Sequence, residues 1–110
     1  MAIKEYKRCP AGAGIEVLQE KWVLHIVLAL LDGPKGFNEL GRDVGGCNPT
    51  TLTQRLARLE ALGVLHKDVD PSGNPRCSYS LTEAGLSLER VIAAIRSWAN
   101  SHLTDSQPSA

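Results

Sequence analysis

Asn48-Pro49-Thr50-Thr51-Leu52-Thr53-Gln54-Arg55-Leu56-Ala57-Arg58-Leu59-Glu60-Ala61-Leu62 is the stretch whose reading decides the fold. It opens on a helix-entry signal. The Asn48 side-chain oxygen can cap, and Pro49 stands where a missing N–H costs nothing. Leu52, Leu56 and Leu59 recur at i, i+4 and i+7, which makes one apolar stripe. At about 100° per residue the opposite face carries Thr50, Gln54, Ala57, Arg58 and Ala61, with Thr53 and Arg55 on the flanks. That face is polar, lacks carboxylates and is narrow because of its alanines. Gly63 follows as a left-handed cap. Such a helix either faces solvent or enters a groove that accepts hydrogen-bond donors and positive charge.

The flanking sequence narrows the choice. Directly upstream, 38–45 reads as a short amphipathic helix with Asn38 as its cap, Glu39 in its first turn and Leu40 and Val44 on one side. Gly45-Gly46 stops it. Two helices joined by a tight glycine turn are the layout of a helix-turn-helix. Before them, Asp32-Gly33-Pro34-Lys35-Gly36 is dense turn chemistry. It ends a helix over 22–31 that is apolar nearly all round, so it is either buried on every side or gives one face to a partner chain. A first helix, 11–19, is weakened by Gly12 and Gly14. Residues 1–8 are polar and locally basic and read as a flexible arm. Downstream of Gly63, residues 64–70 and 76–81 have the pattern of two strands, and Pro71-Ser72-Gly73-Asn74-Pro75 is the turn between them. A hairpin directly after a helix-turn-helix is a wing. Thr82 then caps a long last helix whose Leu88, Val91, Ile92, Ile95, Trp98 and Ala99 form a wide apolar stripe. Residues 104–110 are small and polar and are expected to be a disordered tail. The expected fold is mainly α with a small β-hairpin, a winged helix-turn-helix in one domain spanning 9–103.

Bulk properties exclude several classes. The 110 residues are 43% hydrophobic, enough for one core. Twelve basic residues balance twelve acidic ones, so no global positive field advertises nucleic acid, although a local basic patch suffices for a dimeric DNA reader. The longest apolar run, 22–31, is too short for a membrane span. No secretory signal opens the chain, and three cysteines at 9, 47 and 77 fit neither a disulfide framework nor a zinc ribbon, which points to a cytoplasmic protein with reduced thiols. His25, His66 and His102 show no metal-ligand spacing, and no metal or other cofactor is expected. No nucleophile elbow or phosphate-binding glycine loop is present, so catalysis is set aside.

A winged helix-turn-helix would lay its second helix in the major groove. Thr50, Gln54 and Arg58 then reach base edges, Gln54 matching adenine and Arg58 guanine. Thr51, Thr53, Arg55 and Lys35 are phosphate contacts in this reading. Ser72, Asn74 and Arg76 put the wing on the backbone or in the minor groove. The competing reading is a winged-helix protein-interaction module with no DNA target, since fold does not settle function.

The ordered set of motifs resembles a known family. Cys9-Pro10, Glu20-Lys21-Trp22, Leu31-Asp32-Gly33-Pro34, Phe37-Asn38-Glu39-Leu40, the 48–56 segment, Leu59-Glu60, Leu62-Gly63 and 79–85 (Tyr-Ser-Leu-Thr-Glu-Ala-Gly) are similar to the HxlR-type regulators, MarR-like winged-helix proteins. The resemblance covers roughly 9–100. It implies a homodimeric regulator, expected to be a repressor, on a pseudo-palindromic operator in double-stranded DNA, dimerised through the first and last helices. Trp22, Ile92, Ile95 and Trp98 are the residues expected at that interface or at a small-ligand site within it. The resemblance also makes Cys9 a candidate sensor of oxidants or electrophiles. Lys7 and Arg8 beside it favour the thiolate. The chain departs from the family where Leu40-Gly41-Arg42 replaces a common Leu-Arg-Arg, where Cys47 replaces an apolar residue, and in a wing poor in charge.

Overall fold

The structure, a computed structural model of the chain, describes residues 9–69 and 77–103. The expected arm over 1–8, the wing tip and the tail over 104–110 lie outside them. In chain order the elements are α1 (Pro10–Leu18), α2 (Val23–Leu30), β1 (Lys35–Gly36), α3 (Phe37–Val44), α4 (Pro49–Ala61), β2 (Leu65–Val69), β3 (Cys77–Leu81), α5 (Glu83–Leu86) and α6 (Glu89–His102). The architecture is the expected winged helix-turn-helix, mostly helical with a small antiparallel sheet.

α2 is the centre of the core. Its Val23, Ile26 and Leu30 pack with Leu40 and Val44 of α3, Leu52, Leu56 and Leu59 of α4, Leu65 of β2 and Tyr79 of β3. Each such side chain contributes roughly 1.5–3 kcal/mol on burial. The expectation that α2 is buried on every side holds for only part of its surface: His25 is exposed and Leu28 is 45% exposed.

α4 has the termini its sequence announces. Asn48 Oδ1 accepts a bond from the Thr51 N–H at 3.0 Å. At the other end Gly63 takes φ 79°. Its N–H donates to the Glu60 carbonyl at 3.0 Å and the Val64 N–H to the Leu59 carbonyl at 2.9 Å, the two bonds of a Schellman motif. Thr82 locks this end to the next element. Its hydroxyl donates toward the carbonyls of Gly63 (2.6 Å) and Val64 (3.0 Å), and its oxygen accepts from the Gly85 N–H at 3.2 Å.

Three local readings change. The sheet has three strands in the order β1-β3-β2, with Lys35 opposite Tyr79 and Gly36 opposite Ser78. A two-residue strand is too short to leave a periodic signal. Because β1 runs directly into α3, the cap falls on Gly36 rather than Asn38, and Glu39 Oε1 accepts from the Gly36 N–H at 3.4 Å. The last helix is two helices. α5 ends at Leu86, a turn at Ser87–Leu88 intervenes, and the Ser87 hydroxyl donates to the Ala84 carbonyl at 2.6 Å.

Gly85 has no room for a side chain. A Cβ there would lie 2.2 Å from the Val64 carbonyl oxygen and 2.9 Å from Leu81 Cδ2. Gly41 is the opposite case, because a Cβ would meet only Leu52 Cδ2 at an ordinary 3.8 Å. Gly85→Ala is expected to destabilise the fold by about 2 kcal/mol or more. Gly41→Ala is expected to stabilise it by about 0.5–1 kcal/mol by removing a helix-interior glycine. Urea denaturation of the two variants against the parent checks both signs.

Candidate nucleic-acid interface

With Leu52, Leu56 and Leu59 buried, the roll of α4 is determined. Thr50, Thr53, Gln54, Ala57, Arg58 and Ala61 are exposed, and Thr51 and Arg55 are half-buried on the flanks. Gly45 and Gly46, at φ 64° and 84°, make the turn that sets α4 against α3. Thr50 and Gln54 make no side-chain hydrogen bond among the described residues, so their donors and acceptors face outward. Thr53 differs: its hydroxyl donates to the Pro49 carbonyl at 2.9 Å.

The cations are less available than their exposure suggests. Arg58 Nε donates to Glu20 Oε2 at 2.7 Å, and Arg55 Nε donates to the Lys21 carbonyl at 2.9 Å. Both partners belong to the linker between α1 and α2. The linker itself turns sharply, with Trp22 at φ 78°, a left-handed conformation that costs a side-chain-bearing residue about 1–2 kcal/mol. Lys35 bonds to Asp43 and lies 3.7 Å from Asp32, with its side chain only 13% exposed. The Asp43 carboxylate holds the Lys35 ammonium above its ordinary pKa of 10.5, against a smaller desolvation that lowers it. Lys35, expected as a phosphate contact, therefore sits in a local charge cluster with Asp32 and Asp43.

Arg42 was not among the expected contacts. It is exposed at the end of α3 and has no ion pair among the described residues. It lines a cleft of about 370 Å³ with Phe37, Asn38, Gly41, Cys47, Pro49 and Leu52, beside the start of α4. Its position in the first helix of the pair is the signal that points to it, since that helix crosses the DNA backbone. The wing strands pair from Leu65↔Leu81 out to Val69↔Cys77. Ser72, Asn74 and Arg76, expected at its tip, lie outside the described residues.

The regulatory candidates sit elsewhere. Cys9 is the N-cap of α1, half-buried, and its Sγ accepts from the Gly12 N–H at 3.3 Å. Cys47 Sγ lies 3.6 Å from the Asn48 carbonyl. Ile92 and Ile95 line an apolar cleft of about 230 Å³ with Leu24, His25 and Leu28. Trp98 stands 57% exposed on α6, its ring 5.7 Å from that of His102. Trp22 is partly buried against the core and makes an edge contact with His25 at 5.5 Å. The structure thus gathers Ile92 and Ile95 at one cleft, while Trp22 lies at the foot of α2 against His25, a residue that also lines that cleft. Among the described residues no group of His, Cys, Asp and Glu could hold a metal ion, and no helix is long and apolar enough to cross a membrane.

A family model described as HxlR-like helix-turn-helix matches residues 17–107. The chain belongs to this family. HxlR-like proteins are DNA-binding transcriptional regulators, not enzymes. YybR of Bacillus subtilis, an HTH-type transcriptional regulator, is 34% identical over 86% of this chain and 75% of its own length. Among solved structures, reduced YodB from B. subtilis superposes with a TM-score of 0.78 at 29% identity, covering 86% of this chain and 93% of YodB. The redox regulator HypR in its reduced form gives 0.80 at 32% identity, covering 90% of this chain and all of HypR (100%).

The Lys35 pair carries a pH signature. A lysine whose pKa is raised on folding contributes stability that is fully present below its unfolded pKa and is lost as pH rises through the folded value. The stability difference between parent and Lys35→Met, read by urea denaturation, is therefore expected to hold up to about pH 10 and to close above 10.5.

Proposed function

We propose that the chain acts as a homodimeric repressor that lays its two α4 helices in successive major grooves of a pseudo-palindromic operator, about 34 Å apart. The observation that carries this is the outward face of α4: polar, with its one carboxylate, Glu60, out on the flank, and held in one roll by three buried leucines. Thr50, Gln54 and Arg58 read base edges. Thr51, Thr53, Arg55 and the wing residues Ser72, Asn74 and Arg76 meet the sugar-phosphate backbone or minor groove, and Arg42 joins them from α3.

Dimerisation through α1 and α6 is supported by the apolar surface those helices and α2 leave bare. Ile15 on α1 is 48% and Trp98 on α6 57% exposed, and Leu28 (45%) and Ile95 (46%) line the cleft with Leu24, His25 and Ile92. Such a cleft also suits a small apolar effector. A thiol input is supported by two facts together. YodB has been solved reduced, diamide-treated and quinone-bound, and HypR in reduced and oxidised forms. In this chain Cys9 supplies the sulfur that caps α1. Modification of that sulfur removes the cap and disturbs the helix at the proposed interface, which alters the spacing of the two recognition helices.

Arg58→Ala and Gln54→Ala are each expected to cost roughly 1–3 kcal/mol on the operator and to relax base preference at one position per half-site. Footprinting of the region next to the chain's own gene, followed by titration of the protected duplex, measures both. Wild-type affinity in both variants sinks the assignment of α4 as the reader. In the same assay Cys9→Ser is expected to keep DNA binding and lose its response to diamide or quinone. A response that persists moves the input to another residue.

A further inference from the structure

We infer that Glu20 is the positioning residue that sets the DNA affinity of α4, by holding Arg58 in competition with the operator. The inference rests on the reading above that Arg58 meets DNA. Its starting point is the geometry of one ion pair. Glu20 Oε2 accepts from Arg58 Nε at 2.7 Å, and the other carboxylate oxygen, Oε1, is buried with no hydrogen-bond partner among the described residues. The two side chains are unequally placed, Glu20 at 21% exposure and Arg58 at 43%. The arginine therefore remains open to solvent on the outward side of α4 while the acid is held inward.

Glu20 is not a side chain that can simply swing away. Arg55, one turn before Arg58, donates from Nε to the Lys21 carbonyl at 2.9 Å and pins the linker to the same flank of α4. On its other side the linker is turned by Trp22 at φ 78°. Backbone restraint on both sides keeps Glu20 within reach of Arg58.

A guanidinium has one planar fork, and carboxylate, phosphate and the guanine edge all compete for it. In the unbound protein Glu20 occupies part of it. When Arg58 turns to DNA, the Glu20 carboxylate loses its only described partner and is left facing a polyanion. Oε1, buried and without a hydrogen-bond partner among the described residues, makes that loss larger. Glu20 thus opposes every DNA complex in which Arg58 takes part. The chain carries no excess of positive charge to offset this, with 12 basic and 12 acidic residues.

The test uses the full chain with two duplexes, the intergenic region beside its own gene and a random-sequence control, titrated from low to moderate salt. Glu20→Gln, Arg58→Ala and the double variant form a cycle, with thermal melting of each to monitor the fold. Glu20→Gln keeps the shape and removes the charge, and Glu20→Ala serves as a second version. The expected result is that Glu20→Gln tightens binding by about three- to tenfold, with a salt dependence steeper by about one released counterion per protomer. In the Arg58→Ala background the same change is silent. A Glu20→Gln that is neutral or weaker, while Arg58→Ala is clearly weaker, overturns the inference and leaves the function intact. Equal tightening in both backgrounds also overturns it, because the effect is then a general field rather than a hold on Arg58. If Arg58→Ala itself binds like the parent, the assignment of Arg58 to DNA is what fails.

Discussion

Leu52, Leu56 and Leu59 are at most 2% exposed, and what the molecule presents to its surroundings depends on their burial. A helix rotated by one residue, about 100°, would bring them into water and drive Thr50, Gln54 and Arg58 toward the core. At roughly 1.5–3 kcal/mol per apolar side chain, that rotation costs most of the stability of a domain this size. The partners are drawn from nearly the whole chain: α2 supplies Val23, Ile26 and Leu30, α3 supplies Leu40 and Val44, and the sheet supplies Leu65 and Tyr79. Length is held as firmly as roll. The Asn48 cap begins α4 and the Gly63 motif ends it, and Thr82 ties that end to α5, where Gly85 sits against the Val64 carbonyl with no space for a Cβ. The wing and the recognition helix are thereby fixed to one junction.

Electrostatics follow a different logic. The chain is neutral overall, and several cations that a DNA reader would use are held by carboxylates or carbonyls of its own. Lys35 lies between Asp32 and Asp43, Arg58 is held by Glu20, and Arg55 by the Lys21 carbonyl. Exposed ion pairs contribute little to stability, typically under about 1 kcal/mol. Their larger consequence is for binding, where each must be exchanged for a contact with phosphate or base. In the proposed DNA complex this places weight on hydrogen-bond readout by Thr50 and Gln54, and on Arg42, whose charge is balanced by no described neighbour.

The surface around the cleft between α2 and α6 is apolar in a way that a solitary domain seldom keeps. Leu28 and Ile95 line a shallow cleft and are about half exposed, as is Trp98 further along α6, while α1, packed on α2, begins at the Cys9 cap. In the proposed dimer this surface and the recognition helices share one framework through α2. A change at the interface is then felt as a change in the spacing of the two readers. The α1–α2 linker touches α4 directly through hydrogen bonds at Arg55 and Arg58.

The sequence by itself determined the elements with strong periodicity and strong punctuation. Leucine spacing and the flanking Asn48-Pro49 and Gly63 specified α4 almost to the residue, and the following hairpin identified the wing. The ordered motifs pointed to the HxlR-like family. All these signals are local: a cap, a period or a turn lies within a few residues of what it controls. The tertiary structure alone decided the rest. β1 exists only because β3 passes beside it, and its presence moves the α3 cap from Asn38 to Gly36. The last helix breaks where Gly85 must pack on a carbonyl twenty-one positions earlier, at Val64. Glu20 and Arg58 are 38 residues apart in sequence, so no spacing rule joins them, yet they form the ion pair at the edge of the reading face. Residue types and short spacings say which side chains point outward; only the packed chain says which of those are already engaged.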